Sequence, residues 1–362
     1  QPIANPTVTT TYILTVTNSL SGCFKKDTVV VTVDKNYPIA NAGTGFVKTC
    51  LNNNGPIQVG MPTVNGINYL WTPSLGLNSD VISDPILNAS ISNTYTLTAS
   101  NPVNGCVSTD TIQVVVNQVL PVPNAGLDKT ITCLLNPNGV TLGSTNLTNH
   151  TYSWSPATGL SSGNASNPLA TPTVTTTYIL TLTNSQNGCQ KNDTVVVTVD
   201  KEIPTANAGP DLLRSCTQNT TGANIGMPAV AGVNYNWTPS TGLTSPTAST
   251  TSAEPNQTTT YLLTATDQTS GCTDTNSMVF TYNFTYPAVN AGNDFTITCT
   301  AFSPNGSSIG FSGTQNITYL WTPAAGLLSN STASTTANPT STTMYTLTAT
   351  HPVSGCFSKD SV

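Results

Sequence analysis

The chain has 362 residues, 37% hydrophobic but only 7% charged, with a formal net charge of −6. An ordinary soluble domain carries roughly 25% charge, yet this much apolar content is too high for a disordered tail. The acidic balance excludes the basic patch that a nucleic-acid partner needs, and no apolar run approaches about 18 residues, so no membrane insertion is expected in this stretch.

Thr, Ser and Asn take the place of the missing charges, and Thr is β-branched and suits a pleated surface. In chain order, the first signal is "TVTTTYILTVTNSLSGCFKKDTVVVTVD" from Thr7 to Asp34. Two alternating stretches flank a Gly-containing turn, which predicts a β-hairpin. The same line recurs almost letter for letter from Thr173 to Asp200. Residues 1–34 therefore read as the C-terminal part of a preceding repeat, and the chain as a window on a longer array.

Four residue series keep one period. Tryptophans stand at Trp71, Trp154, Trp237 and Trp321, and tyrosines at Tyr12, Tyr95, Tyr178, Tyr261 and Tyr345. One cysteine series always follows Gly: Cys23, Cys106, Cys189, Cys272 and Cys356. The other is Cys50, Cys133, Cys216 and Cys299. Every series advances by the same step, apart from a single extra residue between Cys299 and Trp321. Full repeats are expected at 35–117, 118–200 and 201–283, with a fourth at 284–362 that stops inside its last strand. The linkers are short and carry Pro, which predicts stiff joints.

Within the second full repeat the expected strands are "DKTIT", "GVTLGST", "HTYSWSP", the Pro-bearing "NPLATPTV", "TTYILTLTNS" and "DTVVVTV". About seven short strands with no helical periodicity predict an all-β sandwich. All four tryptophans open one phrase, as in "WTPSTGL". Period-two alternation puts Tyr152 and Trp154 on one face, Pro156 ends the strand and Gly159 permits the turn. The tryptophans and tyrosines are thus expected in the core, and the competing reading is an aromatic platform for sugars.

Other candidate chemistry is thin. Asp128, Asp211 and Asp294 fall near the expected joints, where calcium could sit, but that ion wants several carboxylates and the chain has 15 acids in all. In the first repeat Gly45 takes this position. His150 and His351 have no partner at metal or triad spacing, and no phosphate loop opens a helix. No catalytic residue, metal or cofactor is expected, and the chain reads as non-enzymatic.

The pattern "NAGxDxTITC…VTLGST…YSWSPATGL…TTTYxLTxTNxxxGCxxxDTVVVTV" resembles the PKD-like and Ig-like tandem repeats of large Bacteroidota surface proteins, among them gliding-motility adhesins exported by the type IX secretion system. The resemblance runs through every repeat. It implies an array of Ig-like or PKD-like modules, each a sandwich of about 83 residues, at the cell surface. Asp-(Ser/Thr)-aliphatic triplets at Thr28, Thr111, Thr194 and Ser361 look like the O-glycan attachment signal of such exported proteins, while Thr275 stands in a shifted triplet. The plainer reading is that the Asp caps the hairpin turn.

Two in-phase cysteines per repeat predict disulfides and an oxidising, extracellular setting. Two pairings stand side by side. In-repeat bonds would join Cys50 to Cys106, Cys133 to Cys189, Cys216 to Cys272 and Cys299 to Cys356. Bonds across joints would join Cys50 to Cys189, Cys133 to Cys272 and Cys216 to Cys356. Strand order separates the in-repeat partners by roughly 23 Å at 3.3 Å per residue, beyond the roughly 7 Å a disulfide allows. Adjacent pairing, such as Cys23 with Cys50, is a third scheme. The expected role is an extracellular structural array forming the stiff stalk or filament of a bacterial surface protein. Its partners would be neighbouring modules and other copies in a filament. Alternatives are an adhesin whose loops bind polysaccharide or cells, and the spacer of a secreted enzyme. The loops after the first-strand cysteine vary freely, which favours the structural array over the adhesin.

Overall fold

The computed structural model describes residues 1–298 and 306–362. All regular structure among them is β-strand. The chain divides into two compact units, one of Gln1–Lys129 with Gly139–Val197, the other of Thr130–Asn138 with Thr198–Val362.

The chain opens on the hairpin of β1 (Thr10–Thr17) and β2 (Phe24–Val31). It continues with β3 (Phe46–Lys48), β4 (Ile57–Gln58), β5 (Asn68–Thr72), β6 (Ile86–Leu87), β7 (Asn93–Ser100) and β8 (Val107–Val116). The next six are β9 (Lys129–Ile131), β10 (Val140–Thr141), β11 (His150–Ser155), β12 (Leu169–Ala170), β13 (Thr176–Asn184) and β14 (Gln190–Val199). A third set is β15 (Leu212–Ser215), β16 (Ala223–Gly226), β17 (Val233–Thr238), β18 (Thr250–Ala253), β19 (Thr259–Asp267) and β20 (Thr273–Asn283). Last come β21 (Ser307–Gly310), β22 (Thr318–Thr322), β23 (Ser334–Ala337), β24 (Thr346–Thr350) and β25 (Phe357–Ser361).

Each set of six strands builds the same two-layer module. The larger sheet has order β3-β8-β7-β5, repeated as β9-β14-β13-β11 and β15-β20-β19-β17. The smaller pairs β4 with β6, β10 with β12, β16 with β18 and, in the last set, β21 with β23. The first strand runs parallel to the last, Phe46 opposite Val114 and Leu212 opposite Phe280, while the other pairs are antiparallel. Third, fifth and sixth strands in one sheet, second and fourth in the other, is the Ig-like arrangement. Six strands form where about seven are expected. After Gly159 the chain contributes only the isolated bridge of Leu160 with Ala170, not a further strand.

Alternation positions the core. In β11, Tyr152 and Trp154 point inward and their neighbours outward, and Pro156, with no N–H to donate, follows the last paired residue. In β13, Tyr178, Leu180 and Leu182 face inward, as do Val195 and Val197 of β14. Tyr12 departs from the expected core set. It is 38% exposed, because among the described residues β1 and β2 pair only with each other and no second layer covers their face.

Candidate functional site

The tryptophans leave no face for a ligand. Trp71, Trp154, Trp237 and Trp321 are 1–4% exposed. Each indole N–H donates to a carbonyl 11 residues on, of Ile82, Ala165, Ala248 and Thr332, at 2.9–3.0 Å. At Tyr95, Tyr178, Tyr261 and Tyr345 the hydroxyl donates to the carbonyls of Leu75, Thr158, Thr241 and Ala325 at 2.7–2.9 Å. Burial raises the pKa of all four hydroxyls. Two open grooves at equivalent places are lined differently, one by Ile67, Val81 and Ile82, the other by His150, Asn164 and Asn167. They share a tyrosine and a serine, Tyr69 and Ser83 in one and Tyr152 and Ser166 in the other, while the rest of the lining changes from apolar to polar.

In three of the four triplets the Asp has a structural partner 68 or 69 residues upstream. Ala42, Ala125 and Ala291 donate their backbone N–H to a carboxylate oxygen of Asp110, Asp193 and Asp360 at 2.8 Å. In the shifted repeat Asn276 takes this place, accepting from Ala208 at 2.9 Å. A neutral amide makes the equivalent bond here, beside a further bond from Ala206 N–H to Asp274 at 2.8 Å, so the position itself needs an acceptor oxygen. The turn-cap reading of this Asp gives way to a clamp on the start of the module. The neighbouring Thr28, Thr111, Thr194 and Ser361 are exposed, as is Thr275.

The other aspartates are also taken up by backbone. Asp128 accepts from Val196 N–H at 2.8 Å and Asp211 from Val279 N–H at 2.7 Å. Gly45 replaces this contact by close approach, since a Cβ there would lie 2.8 Å from the Gln113 carbonyl oxygen. Asp294 is exposed. Among the described residues no three His, Cys, Asp or Glu gather as a metal site. His150 and His351 serve turns, His150 Nδ1 lying 2.7 Å from the Thr148 carbonyl and His351 Nδ1 accepting from Ser354 N–H.

Among the described residues the cysteines form a recurrent covalent feature. Disulfides join Cys50 to Cys189, Cys133 to Cys272 and Cys216 to Cys356, with Cα separations of 4.9–5.0 Å. The in-repeat bonds from Cys50, Cys133 and Cys216 do not form. One cysteine follows the edge strand while the other follows the turn between the fifth and sixth strands, at the far end of the module. Cys23 and Cys106 are free, and Cys299 lies outside the described residues.

Each bridge is seated by backbone. Cys50 N–H donates to the Asn187 carbonyl, Leu134 N–H to Ser270 and Cys216 N–H to Ser354, at 3.1–3.2 Å. Asn187 also spans the first bridged turn, its Nδ2 donating to Asn117 Oδ1 and the Val119 carbonyl while its Oδ1 accepts from Cys189 N–H. The Gly before the second cysteine of each bridge is needed twice. Gly188, Gly271 and Gly355 have φ of 67–70°, and a Cβ on them would lie 2.7, 2.8 and 2.3 Å from Leu51, Leu134 and Thr217. Gly22 and Gly105 share the turn conformation, but nothing stands within 4 Å of their Cβ positions.

The sequence reading missed both the clamp and this second demand on Gly. The constant spacing from the Ala of "NAG" to the triplet Asp, and the Gly before every cysteine of its series, are the signals that carry them.

No family model matches the chain, and no curated protein matches it. Among solved structures it is similar to the protocadherin gamma B7 extracellular cadherin domains 1-4, at 12% identity and TM-score 0.36, covering 82% of this chain and 91% of that one. It is also similar to the titin I-band fragment I67-I69, at 10% and 0.37, covering 67% and 97%. A third is Drosophila OTK extracellular domains 3-5, at 11% and 0.27, covering 67% and 95%. The fold stands on the strand order and register above.

Proposed function

We propose that this chain is a non-enzymatic, extracellular structural array, part of the stalk or filament of a bacterial cell-surface protein of the Bacteroidota type. The observation that carries the reading is the recurrent disulfide, each joining cysteines 139 or 140 residues apart and so one repeat to the next. Disulfides persist in oxidising compartments, and a bond placed between modules constrains a joint rather than a reacting centre. The polar, sparsely charged surface fits exposure to a medium of changing salt, because it depends little on ion pairs that salt screens. Module boundaries at 35, 118, 201 and 284 and O-glycans at Thr28, Thr111, Thr194 and Ser361 belong to the same proposal.

The test is on protein from its native source. Surface proteolysis of intact cells should release the array, non-reducing peptide mapping should recover the three bridges, and the intact mass should exceed that of the polypeptide. Protein found wholly inside the cell with reduced cysteines would overturn the reading. A native mass equal to the polypeptide would remove the glycans and leave the array. Saturable binding of a polysaccharide by the isolated chain would favour the adhesin reading instead.

A further inference from the structure

The bridges overlap along the chain. The bonded cysteines run 50, 133, 189, 216, 272, 356, so the loop closed by Cys133–Cys272 interlocks in sequence with the loops on either side. The two outer loops do not overlap, and only the stretch from Cys189 to Cys216 separates them. Cys189, Cys272 and Cys356 are 0–1% exposed, and exchange with a soluble thiol requires access to the sulfur.

We propose that the two outer bridges limit how far the array can be extended, forming a covalent strap that takes tensile load past the stretches they span, with the overlapping middle bridge held in reserve. The proposal rests on the stalk reading for its purpose, not for its geometry. The shortest covalent route through the chain has 49 peptide steps to Cys50, crosses to Cys189, follows 27 steps to Cys216, crosses to Cys356 and ends 6 steps later. That is about 82 steps, or about 290 Å at ~3.5 Å each, against about 1,260 Å for the unbridged chain. Residues 51–188 and 217–355 lie off the route, so melting their cores adds no length beyond that limit.

Cys133–Cys272 is not on this route. It is the reserve. With Cys50–Cys189 broken, the shortest route runs to Cys133, across to Cys272, back to Cys216 and across to Cys356. This is about 194 steps, or about 680 Å. Losing one outer bond therefore lengthens the strap without freeing the whole chain.

Single-molecule stretching of the full chain, held by handles at its two ends, tests this. The oxidised protein should stop near about 290 Å, and full reduction under denaturant should raise the limit about fourfold. The double variant Cys50→Ser with Cys189→Ser should raise it just over twofold. The variant Cys133→Ser with Cys272→Ser should leave it unchanged. The limit reads the covalent route whether or not a variant's modules fold, and non-reducing peptide maps verify the remaining bridges in each protein. An oxidised chain that extends toward the full unbridged length overturns the strap. So does a middle-bridge variant that lengthens as much as the outer one. Failure of the stalk reading is seen separately, as absence of the protein from the cell surface with the measured limits intact.

Discussion

The hairpin β1–β2 and the hairpin β13–β14 are almost the same sequence in the same register, Tyr12 opposite Val29 and Tyr178 opposite Val195. Yet Tyr12 is 38% exposed and Tyr178 is fully buried. Strand pairing is therefore local to the hairpin, whereas burial comes from the second sheet that only β13–β14 possesses. The same contrast holds at the turns, where Gly188 meets Leu51 and Gly22 meets nothing. A hairpin can thus form its ladder alone but acquires its core and its clamp from the rest of its repeat, and its bridge from another repeat.

The largest test of that contrast is Trp154→Ala. The ring is buried and its strand pairs it with buried Leu180 of β13, and its loss should cost about 3–5 kcal/mol by core truncation. Tyr12→Ala should stay within about 0.5 kcal/mol, as an exposed site does. Urea unfolding followed by hydrogen exchange in β13 and in β1 reads both, and equal effects would erase the distinction.

Next in size is Gly188→Ala. Both this change and Gly22→Ala place a side chain at positive φ, costing about 1–2 kcal/mol. Only at Gly188 does the new Cβ also meet Leu51, so that variant should lose more, and Cys50–Cys189 should be reduced faster than in the parent. Timed alkylation after reductant is added measures this, and equal behaviour of the two alanines would remove the packing argument.

The clamp gives a smaller effect. Asp193→Ala strips the acceptor from Ala125 N–H and should cost about 1–2 kcal/mol. Asp193→Asn should cost well under half of that, as Asn276 makes the equivalent bond, and Asp27→Ala should cost nothing measurable. Denaturation midpoints of the three variants decide it. A charge requirement at residue 193 would contradict the acceptor reading.

The smallest test is the turn itself. Asp267 caps the turn of β19–β20 where Asn184 caps that of β13–β14. Its carboxyl is lowered to about 2, first by the Ser270 backbone N–H and then by the Thr269 hydroxyl and N–H. An unfolded Asp titrates near about 3.9, so the carboxylate's contribution is full above about pH 4 and is lost as pH falls through about 2. Amide protection at Ser270 should fall across that window, while the Asn184 turn stays flat. Asp267→Asn should flatten the first turn too, and an unchanged pH profile in that variant would assign the effect elsewhere.

Much of this molecule is legible in its sequence because its physics is short-ranged. Thr–Val alternation, a Gly in each hairpin turn and Pro after Ser155 specify strands and their ends, and the inward face of β11 or β13 follows from period-two geometry. The number of strands is less legible, since Leu160 makes one bridge in place of a strand. The triplet Asp is legible as a repeated residue but not as a clamp, because Ala125, the partner of Asp193, lies near the other end of the repeat.

What the sequence by itself determined is the repeat, the all-β alternation and which aromatic residues share a face, since each depends on neighbours a few residues apart. Only the tertiary structure decided which cysteine bonds which. In-repeat and cross-joint pairings have equally constant spacing along the chain, and they differ only in space. There the edge strand carries Cys50 away from its own hairpin turn and against the turn of the next repeat, where Gly188, lacking a Cβ, leaves room for Leu51.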